Sequence, residues 1–134
     1  MRRIDQRTLA GALSALCIST VAANAKATPA CSSLPGTVVY AAGGSAQQPL
    51  LTQIGTQLAT LSAPVSLVYS DSGSACAGYN DLVTPTAISG TALYWDGSGN
   101  TLSCALDPGG DPITLAVMGN APTLCTGVMS LKAQ

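Results

Sequence analysis

Three stretches of the chain share one pattern, an apolar run rich in β-branched residues that breaks at Gly, Ser or Asn. They are TVVYAAGGSAQQP (Thr37 to Pro49), VSLVYSDSGSACAG (Val65 to Gly78) and ITLAVMGNAPT (Ile113 to Thr123). Short runs of this kind, bounded by turn residues, predict buried strands. Between the first two the period changes. From Ala46 to Leu61, the residues Leu50, Leu51, Ile54, Leu58 and Leu61 recur at helical spacing, while Gln47, Gln53, Thr56, Gln57 and Thr60 take the other face. Ser45 stands in the N-cap region, and Pro49 is close enough to the start to be tolerated. Gly55 weakens the helix interior by about 1 kcal/mol relative to Ala. Ser62 to Pro64 ends it. Strand, helix and strand within roughly 30 residues make a βαβ unit, whose crossover is expected to be right-handed.

The segment from Pro85 to Pro112 breaks the alternation. Thr91 to Trp95 reads as a strand, Asp96-Gly97-Ser98-Gly99-Asn100 as a turn, and Thr101 to Leu106 as the returning partner. A β-hairpin inserted over about 86–112 is expected before the third core strand. Tyr94 and Trp95 can be read as a ligand-stacking pair, but in such strands aromatics more often pack the hairpin itself. The fold class expected is α/β: a small lobe of three-layer type with a mostly parallel sheet and the inserted hairpin, stapled by disulfides. In such a sheet the loops at the carboxyl ends of the strands converge on one crevice, where ligands bind. Three such loops with exposed amides and hydroxyls, and no basic or bulky side chain, suit a small polar or anionic solute. The same Gly, Ser and Asn residues are also ordinary turn formers.

The amino terminus has a separate role. Arg2, Arg3 and Arg7 precede the apolar stretch Leu9 to Ala23, and Ala25-Lys26-Ala27 supplies small residues. That is the layout of a secretory signal peptide over residues 1–27, with cleavage after Ala27 or Ala25. The apolar run falls short of the roughly 20 strongly apolar residues of a membrane span. Cys17 follows bulky Leu16, which argues against a lipoprotein site. A mature chain of residues 28–134 has no His, Glu, Phe or Arg, and its sole basic side chain is Lys132, against Asp71, Asp81, Asp96, Asp107 and Asp111. Nucleic-acid binding needs clustered Lys and Arg and is excluded on that ground; a basic membrane-surface patch is absent for the same reason.

Four cysteines, Cys31, Cys76, Cys104 and Cys125, follow the cleavage site. An even count in an exported chain argues for disulfides, and without His or a close CxxC pair a zinc site is disfavoured. Three connectivities are open. Cys31 and Cys104 precede the first and third strands, whereas Cys76 and Cys125 follow the second and third, so Cys31–Cys104 and Cys76–Cys125 are favoured. Among enzyme readings, a Ser-His-Asp triad is impossible without His. Asp107 and Asp111 fall in a DPGGDP loop rather than in a glycosidase carboxylate pair. Calcium ligation by Asp96, Asn100, Asp107 and Asp111 lacks a recognised spacing. No cofactor or metal is expected, and the chain does not read as an enzyme.

The three junctions together resemble the amino-terminal lobe of phosphate-type solute-binding proteins of the type 2 periplasmic binding protein superfamily. Gly43-Gly44-Ser45-Ala46-Gln47-Gln48-Pro49 is similar to that family's Gly-rich turn opening the first helix. Tyr69-Ser70-Asp71-Ser72-Gly73-Ser74 and the small residues after it resemble the family's second junction. Gly119-Asn120-Ala121-Pro122 stands where the family has Ser-Asp-Ala-Pro. The resemblance implies that the Ser45 hydroxyl, the Ala46 amide and the Ser74 hydroxyl face an anion. Asn120 departs from the family's Asp and can donate as well as accept, so phosphate selectivity does not carry over. A secreted or periplasmic location and a transport permease as partner are also implied.

The chain is short for that family, whose two lobes close on the ligand by a hinge. A truncated or frameshifted fragment is favoured, because a three-stranded parallel sheet alone would expose an apolar edge and face. A single lobe retained as a small secreted domain, working as a dimer or with another chain, is the other explanation. The competing function is a secreted structural or adhesive domain stabilised by disulfides, with the hairpin as its contact surface. The two functions part on whether the Gly/Ser loops converge.

Overall fold

The computed structural model describes residues 27–74 and 76–125. The expected signal peptide lies outside these residues apart from Ala27, and so does Lys132. The chain opens with a 3-10 turn at Cys31–Ser33 and enters strand β1 (Thr37–Gly43). A second 3-10 turn, Ser45–Gln47, runs directly into helix α1 (Gln48–Ala59). Strand β2 (Val65–Asp71) and helix α2 (Ala77–Val83) follow. Then come β3 (Ala87–Ile88), β4 (Thr91–Trp95), β5 (Thr101–Ala105), β6 (Asp111–Pro112) and β7 (Leu115–Val117), with a last 3-10 turn at Pro122–Leu124.

Five strands form one sheet in the order β5-β4-β2-β1-β7, and β3 pairs with β6 in a separate two-stranded ladder. β1 is parallel to β2 from Thr37↔Val65 to Gly43↔Asp71, and parallel to β7 from Ala41↔Leu115 to Gly43↔Val117. β4 is antiparallel to both β2 and β5. The fold is therefore mixed α/β around a parallel trio, and all three of those strands end at the same edge.

Alternation along the strands sends side chains to two cores. On one face Ala41, Leu67, Tyr69 and Trp95 are buried with Leu51 of α1. On the other, Ala42, Val68 and Ala92 are buried with Cys31, Leu34, Ile88, Cys104, Leu106 and Ile113. The sheet joins the parallel trio to β4 and β5, and a buried cluster lies on each of its faces. Tyr94 and Trp95 pack with opposite cores. The Trp95 indole N–H donates to Thr101 Oγ1 at 3.0 Å.

The face that α1 buries differs from the leucine stripe read from the sequence. Leu51 and Gly55 are buried and Leu58 packs against the core, whereas Leu50, Ile54 and Leu61 are 52%, 41% and 50% exposed. The reason is Trp95. A Cβ built on Gly55 would lie 2.6 Å from Trp95 Cε3. The helix presents its one side-chain-free position to the largest side chain of the core. The Ser45 region differs too: Gly44, not Ser45, is the N-cap of the 3-10 turn, and no side chain caps either that turn or α1.

Two disulfides join Cys31 to Cys104 and Cys76 to Cys125, the pairing that the strand ends favoured. Cys104 lies inside β5, within the stretch Thr101 to Leu106 that reads as a strand. It meets Cys31 because residues 29–31 run alongside β5, with a parallel bridge Ala30↔Ala105 and the Ala105 N–H donating to Pro29 O at 2.8 Å. The bonds close sequence separations of 73 and 49 residues. In the chain-entropy account each such closure stabilises the fold by about 4 kcal/mol.

Gly55→Ala separates propensity from packing. Propensity alone would stabilise the helix by about 1 kcal/mol. The Trp95 contact outweighs this, and a net loss of about 1–2 kcal/mol is expected from overpacking, measured as a lower urea midpoint with unchanged slope. Tyr69 gives a second test. It is fully buried, and its hydroxyl has no hydrogen-bond partner among the described residues. Burial, and secondarily the charge of Asp71, push its pKa from 10.0 to about 12. The folded state then holds the phenolic proton more tightly than the unfolded state. This contribution is intact below pH 10 and is lost as pH rises towards 12. Tyr69→Phe is expected to stabilise the protein by about 1 kcal/mol at pH 7 and to reduce the loss at alkaline pH, both read from denaturant titrations.

Candidate functional site

The carboxyl ends of β1, β2 and β7 lie at one edge of the sheet, and the three loops that follow carry Ser45 and Ala46, Ser74, and Asn120. All four residues are exposed. Each pair of these loops meets, one through hydrogen bonds, one through a close approach and one through a disulfide.

The first tie joins the loops after β1 and β2. Both the backbone N–H and the hydroxyl of Ser72 donate to Gly43 O, at 2.9 and 3.0 Å. The same loop turns tightly, with Gly73 at φ 76° donating its N–H to Asp71 Oδ1 at 2.9 Å. A positive φ of this size favours glycine. The second is a close approach without a bond, between the loops after β1 and β7: a Cβ on Gly119 would sit 3.0 Å from Gln47 Nε2. The third is covalent. Cys76 and Cys125 hold their Cα atoms 5.4 Å apart, placing the chain two residues beyond Ser74 against the chain five residues beyond Asn120.

Small residues make this edge possible. Gly43 has no room for a Cβ against the Val117 carbonyl, and Gly78 has none against the Ala42 carbonyl. α2 can therefore lie close on β1 and β7.

The donors available at the edge are neutral. The first turn of a helix has free N–H groups, and no side chain caps the turn at Ser45–Gln47. The Ser74 Oγ accepts the Ala77 N–H at 3.1 Å, which leaves its proton free to donate. Asn120 offers both an amide donor and a carbonyl acceptor. No Lys or Arg occurs between residues 27 and 131, so among the described residues no cation stands opposite an anion. Asp71, at the end of β2, adds a negative charge to the same edge. Gln47 and Ser72 were not singled out from sequence. Ser72 has a visible signal, a second hydroxyl in the Gly-Ser loop, whereas the role of Gln47 depends on the β1–β7 pairing.

Other polar groups are engaged elsewhere. Asp96 closes its own turn by accepting from the Ser98 and Asn100 N–H groups and the Asn100 side chain, each at 2.9 Å. These bonds, the Asn100 side chain first, lower its pKa. Asp111 accepts the Asp107 N–H at 2.9 Å. Tyr40 has its pKa raised, first by burial and then by the charges of Asp111 and Asp107. Among the described residues no three metal-ligating side chains gather, and no helix is long and apolar enough to cross a membrane. A cleft of about 250 Å³ opens at the opposite end of the sheet, where Pro35, Pro64, Ser66, Tyr94, Trp95 and Leu102 contribute to its wall.

No protein-family model matches the chain, and no curated protein or solved structure matches it either.

Proposed function

We propose that this chain is an exported domain that binds a small oxyanion such as phosphate, or another small polar solute, through the loops at the carboxyl edge of β1, β2 and β7. In this reading it is a lobe of the kind found in phosphate-type solute-binding proteins. Its sheet would be the middle of three layers, β4 and β5 would belong to a hairpin inserted over about 86–112, and the partner would be a transport permease. The observation that supports the reading is the convergence of the loops, bonded at Ser72 to Gly43 and Cys76 to Cys125 and in close approach at Gln47 and Gly119. Turn residues that served only to reverse the chain would not need to be fastened to one another.

The Ser45 hydroxyl, the Ala46 amide, the Ser74 hydroxyl and the Asn120 side chain are the proposed donors. A positive helix end favours an anion, but exposure lets solvent compete for each bond. With neutral donors alone, binding on the order of millimolar is expected, about −4 kcal/mol at the standard state. A secreted structural or adhesive domain is the second reading. The exposed Leu50 and Ile54 of α1, with exposed Leu61 just beyond its end, favour it.

Titration of the exported, oxidised chain with phosphate and with sulfate, followed by amide shifts, separates the two. Saturating shifts at Ser45, Ala46, Ser74 and Asn120 are expected at tens of millimolar anion, on the order set by a millimolar constant. Ser74→Ala should weaken the affinity by about three- to tenfold, the effect of one neutral hydrogen bond, and added chloride should weaken it further. Shifts absent from these loops would leave the structural reading.

A further inference from the structure

We propose that the Cys76–Cys125 disulfide is a thiol-exchangeable latch on the loop that carries Asn120, whereas Cys31–Cys104 is a permanent staple. The two bonds close similar lengths of chain but stand in different surroundings. Cys31 and Cys104 are fully excluded from solvent, inside the core with Leu34, Val68, Ile88 and Leu106, and the backbone on both sides is paired through Ala30 and Ala105. A thiolate must reach a sulfur to exchange with it, and here it meets the core first. Cys76 is only half-buried. It sits before the first turn of α2, two residues beyond the exposed Gly73 and Ser74, while its partner Cys125 is buried, so a thiolate would enter from the Cys76 side.

What the outer bond holds is also distinct. β7 is a three-residue edge strand. After it, the hydrogen bond inside residues 118–125 is local, from the Leu124 N–H to Ala121 O at 2.9 Å. The covalent link to Cys76 fastens the far end of this segment to α2. The tie between Ser72 and Gly43 does not involve it. Opening the outer bond therefore releases the far end of residues 118–125, while Gly119 keeps its approach to Gln47 and β1, β2, α1 and the inner disulfide stay in place.

The exchange is balanced with a dithiol reductant, either a small dithiol or a protein with paired active thiols. Its thiolate attacks the Cys76 sulfur, the Cys76–Cys125 bond breaks, and Cys125 leaves as a thiolate that takes up a proton. The second thiol of the reductant, as thiolate, then attacks its own sulfur in the mixed disulfide, and Cys76 leaves and is protonated. Two electrons pass to the protein and the reductant ends as a disulfide. The consequence for solute affinity rests on the solute-binding reading above: the reduced chain loses the tie that holds Asn120 near Ser74.

The test uses the full exported chain. Graded treatment with a small dithiol, alkylation of the freed thiols and peptide mapping should find Cys76 and Cys125 labelled at least about tenfold faster than Cys31 and Cys104, as access to sulfur governs the rate. In the selectively reduced chain, amide exchange should accelerate over 118–124 and stay unchanged over Val39–Ala42 and Leu67–Tyr69. The C76S/C125S double variant should show the same exchange pattern, which guards against an effect of the alkylating group. Equal labelling of all four cysteines, faster labelling of Cys31 and Cys104, or unchanged exchange over 118–124 after selective reduction would overturn the latch. Anion-induced shifts are read separately: their absence in the oxidised chain refutes solute binding and leaves labelling and exchange to decide the latch. Their presence at equal strength in both redox forms overturns the control of affinity.

Discussion

The parallel pairing of β1 with both β2 and β7 is the constraint on which the rest of the structure depends. It sets three strand ends at one edge, and it can form only because the end of β1 is Ala41-Ala42-Gly43. Both alanines are fully buried, and Gly43 meets the Val117 carbonyl where a Cβ would not fit. α2 approaches the same place through Gly78, against the Ala42 carbonyl. A side chain at Gly43 or Gly78 would push β7 or α2 away. The approach of Gln47 to Gly119 and the pairing of Cys76 with Cys125 would then be displaced.

Around that centre the two faces of the sheet are stabilised differently. One is closed by a helix that gives up a side chain, Gly55, to make room for Trp95. The other has little helical cover over its β4–β5 side and is closed instead by the Cys31–Cys104 bond, the Ala30–Ala105 bridge and the short β3–β6 ladder. Chains of this size have a high ratio of surface to core, and covalent closure offsets it. The outer disulfide acts on the loops instead. The same type of bond thus serves the core in one place and the candidate site in the other.

Much of this was legible in the sequence. β1, α1 and β2 follow from a change of period between Val38 and Tyr69, and the favoured disulfide pairing is the one observed. Four features were not legible, each because it depends on contacts distant in sequence or on elements too short to show a period. The rotation of α1 is set by Trp95, forty residues beyond Gly55. α2, with Gly78, Asn80 and Asp81 in seven residues, has poor intrinsic helix propensity and is held by packing on β1 and β7. β3 and β6 are two residues each. The third run begins at Ile113, but β7 starts only at Leu115, because Ile113 turns into the other core. Of the candidate site, the residue types were visible in the Gly-Ser loops, while the contacts of Gln47 and Ser72 required the strand order.

The measurement that bears most directly on this arrangement is a set of proton–proton nuclear Overhauser contacts in the oxidised chain. The account predicts contacts between the Gln47 side-chain amide and the Gly119 α-protons, and between the residues flanking Ala41↔Leu115 across a parallel β1–β7 pair. It also predicts that the Ser72 amide is protected from exchange by its bond to Gly43. Contacts placing β7 antiparallel to β1, or on the far side of β5, together with a Gly119 that has no neighbour in the Ser45–Gln47 turn, would contradict it.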